Sequence, residues 1–133
     1  WRVFGQPAAL TRLEGILHPM VQAAERRFLA NARRQGKRLA VLDIPLLFET
    51  GANRRCDLVL VVSAPASVQR ARVLRRRGMS EDRFQAILQR QLPDREKRAR
   101  ADLVISTGLS RHFALAQLHR RMARLARRGP AVA

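Results

Sequence analysis

The chain has 133 residues, 47% of them apolar, and a formal charge of +17. That length suits one domain able to bury a core of its own. No apolar run nears the roughly 18 residues of a membrane helix and no secretory leader is legible, so a cytoplasmic protein without membrane partners is expected. The lone Cys56 leaves no intramolecular disulfide framework. The chain opens on Trp1 rather than Met, which suggests a piece of something longer.

Of the 27 basic residues, 25 are Arg. Such a surface suits nucleotide phosphates, nucleic acid or an acidic membrane, and Arg makes bidentate phosphate contacts better than Lys. Most of these Arg residues fall on helix faces that water would cover, and Arg in place of Lys can reflect genome composition. Charge alone therefore names no partner.

In chain order, residues 7–35 read as helix with a break at His18-Pro19. Leu10, Leu13, Ile16 and Leu17 recur at helical spacing before it, and Val21, Ala24, Phe28 and Leu29 after it. Pro19 suits a first helical turn, and His18 before it is biased toward extended backbone. Gly36 predicts a C-cap. Residues 38–43 then read as a strand buried on both faces, with Leu39 to Leu42 an unbroken apolar run. Pro45 cannot donate to a ladder, so the strand should stop near Ile44. Asp43 then stands at its carboxyl end, where open α/β sheets bind ligands. Two readings stay open for Asp43: a magnesium-holding carboxylate, or a cap on the turn that follows.

Residues 50–56 predict a polar turn and 57–62 a second buried strand. Ser63 or Ala64 caps the next helix, with Pro65 in its first turn. That helix turns Val68, Ala71 and Leu74 inward and stops at Gly78. Ser80 caps another helix, with Glu81 and Asp82 at its positive end and Phe84, Ile87, Leu88 and Gln91 along one face. Leu92-Pro93-Asp94 breaks it, and residues 94–100 form a short charged helical turn. Residues 102–106 are a third strand, ended by Thr107-Gly108. Ser110 caps a last helix, striped by Leu115, Leu118, Met122 and Leu125. Gly129-Pro130 ends that helix, and frayed residues follow. Alternating strands and helices predict an α/β domain with a parallel sheet, unusually small at three strands.

The chemistry is distributed. A P-loop needs Gly-x-x-x-x-Gly-Lys-Ser/Thr between strand and helix. The only Gly-Lys pair, Gly36-Lys37, has Asn31 for the first Gly and Arg38 for the hydroxyl, and it precedes a strand. His112 and His119 lie seven residues apart on one helix and read as solvent-facing or packed rather than as ligands. Ser63, Ser106 and Ser110 lack a nucleophile-elbow context. What remains are the segments after each strand, and an Arg-rich helix–turn–helix over residues 67–92 that could act as a mobile lid over nucleotide phosphates.

Several motifs carry a specific resemblance. They are Arg2-Val3-Phe4, Leu-Glu-x-Ile-Leu-His-Pro over residues 13–19, and Leu42-Asp43-Ile44-Pro45-Leu46-Leu47-Phe48-Glu49. Gln69-x-x-Arg72-x-x-x-Arg76, Arg90-Gln91, Glu96-Lys97 and Ala101-Asp102-x-Val104-Ile105-x-x-Gly108 follow. In this order the chain resembles the later two-thirds of dephospho-CoA kinase, a P-loop kinase that uses Mg-ATP to phosphorylate the ribose 3′-hydroxyl of dephospho-CoA in the last step of coenzyme A biosynthesis. The resemblance runs from Arg2 to about Leu125. It implies a three-layer parallel sheet of the P-loop kinase type, here incomplete, because the family's first strand, P-loop helix and catalytic Asp match nothing in these residues. It places His18, Pro19, Asp43, Pro45, Leu46 and Glu49 on the dephospho-CoA side. Arg72 and Arg76 match lid positions near ATP phosphates, in catalytic and nucleotide-binding roles, and Thr107-Gly108 matches the loop beside adenine. Plainer readings stand beside these: residues 45–47 as a simple turn, Glu49 as the partner of an Arg, Arg76 as a solvated charge.

Two further readings compete with a kinase. Residues 67–92 could be a basic helix-turn-helix on nucleic acid, although flanking buried strands and the lack of Tyr for stacking disfavour it. The chain could also be a non-catalytic contributor to an assembly. In the resembled fold the strand feeding the P-loop lies between 38–43 and 57–62. Without it those strands expose edges that invite aggregation or pairing with another chain, so the 133 residues alone are expected to be poorly stable and inactive.

Overall fold

In the computed structural model, residues 7–128 are described. The Arg2-Val3-Phe4 motif, the Gly129-Pro130 stop and the expected fraying at residues 131–133 lie outside them. The chain divides after Asp43 into two compact units.

The first unit is dominated by one helix, α1 (Pro7–Arg34). The expected break at His18-Pro19 does not occur. Pro19 lies inside the helix, and His18 is helical rather than extended. A proline's φ is already helical. What it loses is its own donor and the fit of its ring against the carbonyl four residues back, at a cost of about 3 kcal/mol; here that residue is Gly15. Long helical stretches on both sides carry the chain through. The other end follows expectation. Gly36 takes φ 63°, its N–H bonds Arg33 O, and Lys37 N–H bonds Ala32 O, both at 3.0 Å, which is the double closure that a glycine at this position permits. Much of the apolar side of α1 is exposed, with Ile16 and Met20 each at 63%.

Residues 38–43 are not a strand. They join no ladder among the described residues, and Val41 is 74% exposed. An apolar run marks what a segment could bury, but a strand exists only where a neighbour takes its N–H and C=O groups.

The second unit is built on a two-stranded parallel sheet, β1 (Leu60–Ser63) beside β2 (Leu103–Ser106). Leu60 pairs with Leu103 and Ser63 with Ser106. β1 begins later than the expected 57, yet Val59 is already tied in. Its carbonyl accepts the Asp102 and Leu103 N–H groups, and its N–H donates to Asp102 Oδ2 at 2.8 Å. The carboxylate replaces a backbone acceptor where the ladder starts. At the other end, the α5 (Arg111–Arg128) side chain of Gln117 accepts the Ser106 N–H and donates to the Ser106 carbonyl, closing that edge of β2 as a strand would.

Between the strands run α2 (Ala66–Leu74), α3 (Glu81–Gln89) and α4 (Asp94–Arg100). α2 packs on α3, α4 on β1 and α5 on β2. Pro65 is the N-cap of α2 rather than a first-turn residue, and α2 ends at Leu74, before the expected Gly78. Ser80 Oγ accepts the Arg83 N–H and Ser110 Oγ the Phe113 N–H, the caps the sequence predicts. Among the described residues the buried apolar ones are few: Phe48, Ala52, Val59, Phe84 and Ile105. On α5, Leu118 and Met122 are half-buried while Leu115 is exposed; the Leu125 side chain lies outside the described set. No described helix is long and apolar enough to cross a membrane.

Candidate functional site

His18, Pro19 and Asp43 belong to the first unit; Pro45, Leu46, Glu49, Arg72, Arg76, Thr107 and Gly108 belong to the second. His18 and Pro19 sit mid-helix and exposed, and Asp43 is exposed at the end of its unit.

In the second unit the carboxyl ends of β1 and β2 come together with α2. The Thr107 N–H and Oγ1 both donate to the Ser63 carbonyl, at 2.8 and 3.1 Å, which locks the two strand exits together. Arg72, on α2, donates from Nη2 to the Thr107 carbonyl at 2.7 Å and reaches Thr107 Oγ1 from Nη1 at 3.5 Å. Next to it, Gly108 is pressed against Pro65. A Cβ at Gly108 would stand 2.5 Å from Pro65 Cδ and 3.1 Å from Cγ, so only glycine fits without movement. Three residues singled out in the sequence, Arg72, Thr107 and Gly108, therefore form one cluster at the strand ends. Arg76 lies in the turn after α2, exposed, and its guanidinium has no hydrogen bond or ion pair among the described residues.

Beside this cluster opens a cleft of ≈ 320 Å³, lined among others by Ser63, Pro65, Gln69, Asp94, Arg98 and Ser106. Ser63 is buried and donates from Oγ to Asp94 Oδ2 at 2.9 Å. Asp94 and Arg98 were not legible as site residues. They look in sequence like any charged helix face, and only the docking of α4 on β1 turns them toward the strand ends.

Residues 45–50 wind into one tight turn. Thr50 N–H bonds Leu46 O at 3.0 Å, Gly51 N–H bonds Phe48 O at 3.1 Å, and Ala52 N–H bonds Leu47 O at 3.0 Å. Gly51 takes φ 70°, and Phe48 and Ala52 bury beneath the turn. Glu49 points back into the protein. Its Oε1 accepts the Leu92 N–H at 2.8 Å and pairs with Lys97 Nζ at 3.0 Å. Burial pushes the Glu49 carboxyl up; hydrogen bonds from its own backbone, from Lys97 and from Leu92, with the Lys97 charge, outweigh that and hold it below its ordinary value.

The helical insertion is braced internally. Arg70 makes a two-pronged contact with Glu81, at 3.1 and 2.6 Å, and Arg83 donates to the Gly78 carbonyl. Helix-turn-helix motifs join their helices through three or four residues. The longer connection here, residues 75–80, does not have that geometry. No group of three or more His, Cys, Asp or Glu suited to a metal ion occurs among the described residues.

A family model described as Dephospho-CoA kinase matches residues 1–111. The chain is 56% identical over 117 residues to a dephospho-CoA kinase of Mesorhizobium japonicum, covering 88% of this chain and 59% of that protein. It is 63% identical over 97 residues to one from Paramagnetospirillum magneticum, covering 73% and 46%. It thus spans about half the length of the curated relatives it matches. Among solved structures, a dephospho-CoA kinase from Campylobacter jejuni aligns with a TM-score of 0.63 at 26% identity over 94% of this chain and 62% of that one. A crystal structure of a Thermus thermophilus protein aligns with a TM-score of 0.73 at 32% identity, over 92% and 62%.

Proposed function

The chain belongs to the dephospho-CoA kinase family, and on that premise we propose that it carries the lid, the nucleotide-facing loop and the acceptor-side turn of a cytoplasmic kinase. The reaction moves the γ-phosphoryl group of Mg-ATP to the 3′-hydroxyl of dephospho-CoA and releases ADP. The observation that carries the reading is the Arg72–Thr107–Gly108 cluster. Glycine at 108 lets the 63–65 and 107–108 loops approach closely, and the guanidinium beside them can stack on the face of a purine. Arg76, four residues on and uncommitted, is placed to answer phosphate charge as it develops in transfer.

In this reading Pro45 and Leu46 are acceptor-side residues of the second unit, and His18, Pro19 and Asp43, in the first unit, match acceptor-side positions of the family. Magnesium binds through one or two carboxylates together with substrate phosphates, so a cluster of carboxylates is not required for Mg-ATP. The 133 residues contain no Gly-x-x-x-x-Gly-Lys-Ser/Thr. By themselves they lack the backbone cradle that holds triphosphate, and they should not turn over.

The test is coenzyme A formation by the protein at its natural length, given dephospho-CoA and Mg-ATP. Product that requires both substrates is expected. ATP hydrolysis without acceptor phosphorylation, or no reaction, would overturn the proposal.

A further inference from the structure

Glu49 closes the segment that the kinase reading assigns to the acceptor, yet its carboxylate is already committed inside the protein. It accepts the Leu92 N–H and pairs with Lys97. Lys97 also donates to Gln91 Oε1 at 3.2 Å. The side chains of Lys97 and Glu49 are only 18% and 15% exposed.

The place of Leu92 matters. α3 ends at Gln89, and the Arg90 and Gln91 N–H groups still find the Ile87 and Leu88 carbonyls. Pro93, the N-cap of α4, has no N–H to give. Within residues 90–93, Leu92 is therefore the one whose N–H leaves the helical insertion, and Glu49 is its acceptor. On the other side, Glu49 sits in a turn pinned by three backbone bonds over a buried Phe48. To meet a substrate, the carboxylate would have to abandon two donors in a largely dry site, leaving Leu92 N–H and the Lys97 charge unmatched. The opposite root of the insertion is different. There Arg72 holds the Thr107 carbonyl through an exposed contact, which water can replace at little cost.

We propose that Glu49 and Lys97 are positioning residues that anchor the Leu92 end of the insertion to the 45–50 turn, and that neither is a ligand of the acceptor. The insertion is then fixed at its α4 end by a largely buried pair, while Arg72, on α2, is held by an exposed contact. This rests on the kinase reading only in naming the insertion a lid and the turn an acceptor-side element.

The experiment measures amide exchange at Leu92 and steady-state kinetics in the protein at its natural length, for wild type, Glu49→Ala, Lys97→Met and the double variant. Glu49→Ala should speed Leu92 exchange by roughly tenfold, and the double variant should be no faster. All three variants should lower kcat by a similar factor, with KM for dephospho-CoA within about twofold of wild type. Unchanged Leu92 exchange in Glu49→Ala would overturn the anchor. So would a rise in acceptor KM confined to Glu49→Ala, which would make Glu49 a substrate ligand. If Glu49→Ala does not fold, Glu49→Gln keeps the side-chain volume and an oxygen for Leu92. On that background Lys97→Met should have no further effect on exchange; an effect equal to that on wild type would overturn the pair. A protein that forms no coenzyme A refutes the kinase reading, and the exchange result still decides the anchor.

Discussion

The Arg72 guanidinium donates to the Thr107 carbonyl at 2.7 Å, joining the helix after β1 to the loop after β2. Both residues are exposed or half-exposed, so this contact contributes little stability; in the proposed kinase it supports the nucleotide. Arg72→Ala should raise KM for ATP by about tenfold, the scale of one charge-assisted or cation–π contact, and shift the melting temperature by less than about 2 °C. Arg72→Lys, which keeps the charge but loses the planar fork, should recover little. Thermal melts and ATP titrations of initial rate in the natural-length protein check this; full recovery by Lys would reduce Arg72 to a point charge.

Gly108 is a steric prediction. A methyl group there meets the Pro65 ring at 2.5 Å, and a ring fused to the backbone at the start of α2 cannot swing away. Gly108→Ala should destabilise the fold by about 1–3 kcal/mol, as overpacking does. It should also weaken nucleotide binding, because the 63–65 and 107–108 loops are forced apart. Chemical denaturation and isothermal titration with ATP read the two effects separately, and a neutral Gly108→Ala would contradict the close packing of these loops.

Glu49 makes stability depend on pH with a definite sign. Its carboxyl is held below the ordinary value of 4.5, so its contribution is fully present above that value and is lost as pH falls through the lower, folded-state value. Denaturation of wild type and Glu49→Gln across pH 7 to pH 3 should therefore give curves that are separated at neutral pH and converge in acid. A constant separation would mean that Glu49 does not titrate as part of this pair.

The 133-residue chain expressed by itself should be marginal. Its described core amounts to Phe48, Ala52, Val59, Phe84 and Ile105, none of them fully sealed from water, while Ile16, Met20, Val41 and Val62 stand exposed. β1 pairs on one side only among the described strands, leaving an edge that can recruit another chain. Light scattering should show association that grows with concentration. A monomer with a cooperative melt above about 45 °C, the low end of ordinary domains, would contradict this.

What was legible in the sequence was local. Ser80, Ser110 and Gly36 announce helix ends because caps satisfy backbone groups a few residues away, and each is found doing so. Residues 102–106 read as a strand and nearly all of it is one, because its partner lies within the chain. Residues 38–43 have an equally strong apolar run and form none, since pairing is not a property of the run. Pro19 looked like a stop, but a single lost hydrogen bond cannot end a helix with good formers on both sides. The site was half legible. Arg72, Thr107 and Gly108, each singled out in the sequence, lie close together, a contact between α2 and the loop after β2 that no local pattern announces. Asp94 and the Glu49–Leu92–Lys97 knot were hidden, because each depends on residues dozens of positions apart that only packing brings near.

The most direct test of the proposed kinase is Arg76→Ala in the natural-length protein, assayed for coenzyme A formation under saturating Mg-ATP and dephospho-CoA. Arg76 is exposed and outside the core, so the fold should survive, and the melting temperature of the variant checks that it has. Because an arginine that stabilises a transferring phosphoryl group can be worth orders of magnitude in rate, kcat should fall by more than about tenfold while KM for dephospho-CoA stays near wild type. An unchanged kcat would make Arg76 a solvated charge and contradict the assignment of residues 67–92 as the catalytic lid.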